Sequence, residues 1–153
     1  DASFDVKDDI KKIVLTKLSK HLPNRLDYIH NVKGILLPKK IDLNPTSTTI
    51  QDIKKGTGYD YFINIKSSVV KNSLQDIDIT NHKFNKNKSK VVEVIFEIYD
   101  LNKKDVFYTR KVTGSIKIND SNNSDINFTK STSKLIYGCV EKIIKDLSKK
   151  SIK

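Results

Sequence analysis

The chain is 153 residues long and carries 29 Lys and Arg against 18 Asp and Glu, a formal net charge of +11, with one Cys, five Gly, three Pro and neither Met nor Trp. That length suits one domain with a core of useful size, and a hydrophobic content of 37% arranged in clear periods excludes a disordered chain. One Cys excludes an intramolecular disulfide framework and a Cys-rich zinc site, and no apolar run approaches the roughly 18 residues of a membrane span; the sequence reads as a soluble, basic, single-domain α+β protein.

The first element is a helix over about Asp5 to His21. Ile10, Ile13, Val14, Leu18 and Leu22 recur at steps of three and four and make one apolar stripe. Asp5, Asp8 and Asp9 in the first turn and Lys17 and Lys20 near the last match the helix dipole, and Pro23 stops it. In residues 24–47, Tyr28, Ile29, Val32 and Ile35-Leu36-Leu37 suggest one short buried strand ended by Pro38, with Asn44-Pro45-Thr46-Ser47 as a turn. A short helix covers Thr48 to Lys55 with Ile50 and Ile53 inward, and Gly56 and Gly58 provide its exit.

From Tyr59 the period becomes two. Tyr61, Ile63 and Ile65 alternate with Phe62, Asn64 and Lys66 in a strand that runs on through Val69 and Val70. Lys71 to Lys90 is polar. Ile77-Asp78-Ile79 would prolong a strand, and Asn81 to Ser89 reads as an exposed, mobile loop. The strongest strand pattern follows: Val92, Val94, Phe96 and Ile98 alternate with Glu93, Glu97 and Tyr99, with Val91 and Ile95 adding apolar weight to the second face. After Leu101-Asn102-Lys103-Lys104-Asp105, a return strand puts Val106, Tyr108, Val112, Ile116 and Ile118 on one face and Phe107, Thr109, Lys111, Thr113, Ser115 and Lys117 on the other. That is an antiparallel hairpin with one dry and one mostly wet face, and Gly114 suggests a bulge or a bend. Asn119 to Asp125 is a polar loop. A final helix over about Thr129 to Lys149 carries Leu135, Ile136, Cys139, Val140, Ile143, Ile144 and Leu147 on one stripe. The expected architecture is two-layer α+β: a mainly antiparallel sheet packed against an N-terminal and a long C-terminal helix.

The positive charge has a plain explanation. Of the 29 basic residues 27 are Lys and only Arg25 and Arg110 are Arg, while Ile (20) and Asn (13) are also abundant. These three residues have A/T-rich codons, so an AT-rich genome yields the bias without a basic role. Phosphate and base recognition favours the bidentate Arg fork. A solvated Lys-coated surface is the preferred reading over a nucleic-acid or anionic-membrane footprint. The chain opens at Asp1 without a charged-then-apolar leader, which fits a mature exported domain or a trimmed chain.

No residues assemble into catalytic machinery. His21 lies at a helix end, His30 in the expected strand and His82 in a loop, none with a second His or Cys at ligand spacing. Asp76, Asp78 and His82 offer oxygen and nitrogen donors, but their spacing matches no coordination motif and reads as loop punctuation. Asp120 to Asp125 echoes the start of a calcium loop, yet Asp125 replaces the required Gly and Ser131 the bidentate Glu. Cys139 sits on an apolar stripe and reads as a buried small hydrophobe. No nucleophile elbow, P-loop or glycine-rich dinucleotide turn is present. Lys83, Lys86, Lys88 and Lys90 around Phe84 would suit phosphates and one stacked base, and equally a soluble hairpin tip. Lys130, Lys134, Lys142, Lys145, Lys149 and Lys150, opposed by Glu141 and Asp146, read as the wet side of the last helix.

Two segments carry a resemblance. Gly58-Tyr59-Asp60-Tyr61-Phe62-Ile63 looks like the Gly/Ala–Asp–Tyr–apolar-strand approach that follows a short helix in bacterial envelope domains, and Ile98-Tyr99-Asp100-Leu101-Asn102-Lys103-Lys104-Asp105-Val106-Phe107 looks like their hairpin. With the closing helix, the order over about residues 5–149 resembles the amino-terminal domain of TolB and the periplasmic domain of curli-secretion-channel lipoproteins. The apolar strand that normally precedes the first helix has only Asp1-Ala2-Ser3-Phe4 in its place. The resemblance implies a periplasmic or secreted domain, lipid-anchored upstream of Asp1 in the lipoprotein case, that binds another envelope protein, uses no cofactor or metal and catalyses nothing. Two other readings stay open: a helix-grip carrier of a small apolar ligand, with a cavity lined by Phe96, Tyr108 and Ile136, and a basic nucleic-acid-binding domain.

Overall fold

The structure is a computed structural model that describes residues 4–32, 41–72, 87–119 and 131–150. It is α+β. Helices α1 (Phe4–Ser19), α2 (Ser47–Thr57) and α3 (Thr132–Lys150) accompany strands β1 (Tyr61–Asn72), β2 (Asn87–Asp100) and β3 (Asp105–Asn119), which form an antiparallel sheet in the order β1-β2-β3.

These residues divide into two compact units. The first holds the described residues up to Ile10, those of Ser67–Val94 and those of Val112–Lys153; the second holds Lys11–Lys66 and Ile95–Lys111.

The core of the first unit is the meeting of α3 with its strands. Ile136, Cys139, Val140, Ile143 and Ile144 are buried, with Val92, Val94 and Val112 buried from the sheet, so the stripe read from the sequence is the packed face. What Gly114 provides is room: β3 runs unbroken through it, and a Cβ there would lie 2.9 Å from Cys139 Sγ and 3.3 Å from Val92 Cγ2. The absent side chain lets the helix sit close on the strand. α3 begins at Thr132 rather than Thr129, because Ser131 ends the preceding chain as a cap. Lys134 N donates to its Oγ at 3.3 Å and Leu135 N to its carbonyl at 3.2 Å.

The second unit is built around α2. Its Ile50 and Ile53 are buried in a cluster with Tyr99 and Leu101, against which Ile29, Ile41 and Phe62 pack. α2 runs longer than the apolar spacing suggests because both ends are capped. Thr46 Oγ1 accepts from Thr49 N at 3.2 Å, and Gly58, at φ 72°, closes the helix by donating its N–H to Lys54 O at 2.9 Å. Asn64 fixes β1 to the chain before α2 by donating through Nδ2 to the carbonyls of Ile41 and Asp42, both at 3.1 Å.

Several expectations change. The strand expected over Tyr28 to Val32 is instead a 3-10 turn at Ile29–Asn31. Asp27 Oδ1 accepts from Tyr28 N at 2.7 Å and Asn31 Nδ2 at 3.2 Å, and these local bonds compete with a sheet ladder; Ile35 to Leu37 lie outside the described residues. α1 ends four residues before Pro23, where His21 N and Leu22 N both donate to Leu18 O at 2.9 Å. The expected loop Asn81 to Ser89 is strand from Asn87 on. The rest of it, Ile77 to Ile79 and the loop expected over Asn119 to Asp125, apart from Asn119 in β3, lie outside the described residues. The wet face holds for β3, where Phe107, Thr109, Lys111, Thr113 and Ser115 are all exposed. It fails at the end of β2, where every residue from Phe96 to Leu101 is buried on both sides of the strand.

Candidate functional site

Among the residues expected to be inert, His21 is exposed just past the end of α1, and Cys139 is buried, its thiol pushed up by burial with Lys142 opposing. A protonated, enclosed thiol is a poor nucleophile. His30 lies in the 3-10 turn, whereas Asp76, Asp78, His82, Lys83, Phe84, Lys86, Lys130 and Asp120 to Asp125 fall outside the described residues. Among the described residues no group of three or more His, Cys, Asp or Glu is placed to hold a metal ion, and no helix is long and apolar enough to cross a membrane. Lys134, Lys142, Lys145, Lys149 and Lys150 are exposed along α3. Of the three residues expected to line a carrier cavity, Phe96 and Ile136 are fully buried, and Phe96 meets Tyr108 edge-on at 6.3 Å between ring centroids.

What the structure brings together lies at the hairpin end of the second unit. The turn Leu101–Lys104 is held from inside and outside. Asp100 Oδ1 accepts from Asn102 N and Lys103 N, both at 3.0 Å, in an Asx turn, and Lys104 supplies the left-handed residue at φ 59°. Buried Leu101 plugs the turn into the α2 cluster and donates its N–H to Asp60 O at 2.8 Å. The Asp60 carboxylate then receives Lys54 Nζ at 2.8 Å and Asn102 Nδ2 at 2.9 Å. Those bonds, Asn102 first and the Lys54 charge after, hold it below the usual Asp range. The start of β1, the end of α2 and the β2–β3 turn are thereby one braced corner.

That corner presents aromatic surface. Tyr61 is 53% and Phe107 64% exposed, and their rings touch at 5.7 Å between centroids, tilted by 57°. Tyr59 and Val106, next to them in sequence, are exposed as well. Lys103, Lys104 and Asp105 at the turn, and Arg110 and Lys111 farther along β3, are exposed too.

Behind the corner is a second polar feature that sequence reasoning missed. Tyr99 Oη accepts from Asn44 N at 2.9 Å and donates to Glu97 Oε2, with Glu97 6% and Tyr99 1% exposed. Burial first, then the Glu97 bond, pushes the Tyr99 hydroxyl up to about 12. The phenol ring stacks on Phe62 at 6.1 Å. The network is a structural tie, since it anchors the backbone at Asn44 (φ 54°) to β2. Phe107, by contrast, was visible in the sequence as the one large aromatic among the Thr, Ser and Lys of the wet face; its contact with Tyr61 was not, because it joins residues far apart in the chain. In comparisons with known proteins, the chain matches no family model, no curated protein and no solved structure.

Proposed function

We propose that this chain is a non-catalytic binding domain of the cell envelope, periplasmic or secreted, that docks another envelope protein through the braced corner of its second unit. The observation that carries the reading is the touching pair Tyr61 and Phe107, both more than half exposed. Burying an aromatic side chain yields about 1.5–3 kcal/mol, and a fold that leaves two in mutual contact at its surface forgoes that gain unless a partner covers them. The corner beneath is rigidly tied by the Asp60 and Asp100 bonds, so little ordering opposes docking. The envelope assignment is supported by the two sequence segments that resemble TolB-type and curli-lipoprotein domains. Both run into this corner, since Gly58 to Ile63 supplies Asp60 and Tyr61, and Ile98 to Phe107 supplies the turn and Phe107.

A photo-reactive phenylalanine analogue at position 107, with position 142 on exposed α3 as the control, tests the reading in the cells that encode the chain. The expected result is a discrete protein adduct from position 107 in the envelope fraction and none from position 142. An adduct to nucleic acid, no adduct, or the chain itself recovered in the cytosolic fraction would overturn it.

A further inference from the structure

Helix α3 carries a charged face that the core does not use. Its buried residues are Ile136, Cys139, Val140, Ile143 and Ile144, and its exposed ones are Lys134, Gly138, Glu141, Lys142, Lys145, Lys149 and Lys150. We propose that Lys134, Lys142, Lys145 and Lys149 form a docking surface for the anionic phospholipid headgroups of a membrane, against which α3 lies lengthwise without inserting. This surface belongs to the first unit and the aromatic corner to the second, so the two are tested separately.

Helix periodicity sets the four lysines in a row. At 3.6 residues per turn and 1.5 Å per residue they fall within an arc of about 80° and span about 22 Å of one side, opposite the buried stripe. Their ammonium groups have no hydrogen-bond or ion-pair partner among the described residues. Other cations are engaged: Lys54 is bonded to Asp60, and Lys11, Lys17 and Lys111 have interactions of their own. The acids of α3 do not neutralise the row. Glu141 and Asp146 are each engaged elsewhere, and with Glu141 counted in full, four lysines less one acid leave the face at +3. Like charges spaced by three and four residues weaken a helix, and a surface of opposite charge removes that cost.

The composition of the row favours lipid over other anions. Lys offers a compact, hydrated point charge and lacks the planar Arg fork that grips a phosphate through two bonds, so the row suits a diffuse sheet of charge. No aromatic side chain is among the exposed residues of α3 to stack a base, and single-stranded nucleic acid is tracked by a groove, whereas a straight helix meets a plane along its length. A second copy of the chain would set the same cations face to face. Because the apolar stripe of α3 is spent on the core, attachment is by charge alone, which gives reversible binding of the kind that adds to a separate anchor.

The test is sedimentation of the intact chain with vesicles of phosphatidylcholine alone and of phosphatidylcholine with an equal amount of phosphatidylglycerol. Binding is expected only to the second, falling steeply between about 0.01 M and about 0.15 M sodium chloride. A lysine near an anionic lipid surface contributes about fivefold, so K134Q/K142Q/K145Q/K149Q should lose at least about a hundredfold. K12Q/K55Q/K66Q/K104Q removes the same charge from exposed positions elsewhere and should lose less than about fivefold. Arg at all four α3 positions should preserve binding. All the replaced side chains are exposed, so each variant is expected to keep a cooperative unfolding transition; K142Q/K145Q, expected to lose about twenty-five-fold, gives the same reading with half the substitutions. No binding to the phosphatidylglycerol vesicles, a loss in the control variant as large as in the α3 variant, or binding undiminished at the higher salt would overturn the proposal. So would tighter binding of the same four lysines to thymidine oligonucleotides or to poly-glutamate than to the anionic vesicles.

Discussion

Tyr99, Glu97 and Asn44 show how much one buried side chain holds. Tyr99→Phe removes the acceptor for Asn44 N and the donor to Glu97, stranding a buried carboxylate, and is expected to cost about 1–3 kcal/mol of unfolding free energy. Glu97→Gln still accepts from the phenol and should cost less. The pH dependence has a definite sign. The folded state holds the Tyr99 proton more tightly than the unfolded chain does, about 12 against the ordinary 10. Its contribution is therefore complete below pH 10 and is lost as pH rises through about 12. Urea unfolding of wild type and Tyr99→Phe across that range checks it: the gap between them should narrow above pH 10, and a constant gap would show that the proton is not held by the fold. Gly114 offers a companion case. Gly114→Ala places a methyl 2.9 Å from Cys139 Sγ and is expected to destabilise by about 1–3 kcal/mol. Cys139→Ala removes the sulfur, so the double variant should unfold later than the sum of the two single losses predicts.

Among the elements, what was legible was what repeats. The three-to-four-residue rhythm located α1, α2 and α3, and the two-residue rhythm located β1, β2 and β3, because burial of one face imposes its own period on the residues that supply it. What was lost lies where bonds between side chain and backbone decide. Asp27 draws its neighbours into a 3-10 turn despite apolar Tyr28, Ile29 and Val32, and Ser131 delays α3. Glu97 is buried and bonded by Tyr99, whose own ring sits in a cluster assembled from distant residues, which no local pattern records. The aromatic corner was half legible: the wet face of β3 already included Phe107, while its contact with Tyr61 and the bracing by Asp60 required the fold. The elements also separate two glycines that look alike in composition. Gly58 sits at φ 72° with open space around it, so Gly58→Ala is strained by its backbone alone and should cost about 1 kcal/mol. Gly138, within α3 and also in open space, pays only helix entropy, so Gly138→Ala should add about 0.5–1 kcal/mol. Thermal unfolding of the pair should move in opposite directions, and movement in the same direction would show that the α2 exit does not require its left-handed residue.

For the whole molecule the governing quantity is the charge of +11. Like charges in excess repel in a compact state, and the repulsion weakens as the screening length falls from about 30 Å at 0.01 M salt to about 8 Å at 0.15 M. Pairs such as Lys54 with Asp60 are local and open to solvent, so their own screening removes little compared with the relief of repulsion. The unfolding midpoint should therefore rise with sodium chloride over this range. A sodium chloride series read by thermal unfolding measures the slope. A midpoint that falls with salt would mean that paired charges outweigh the excess.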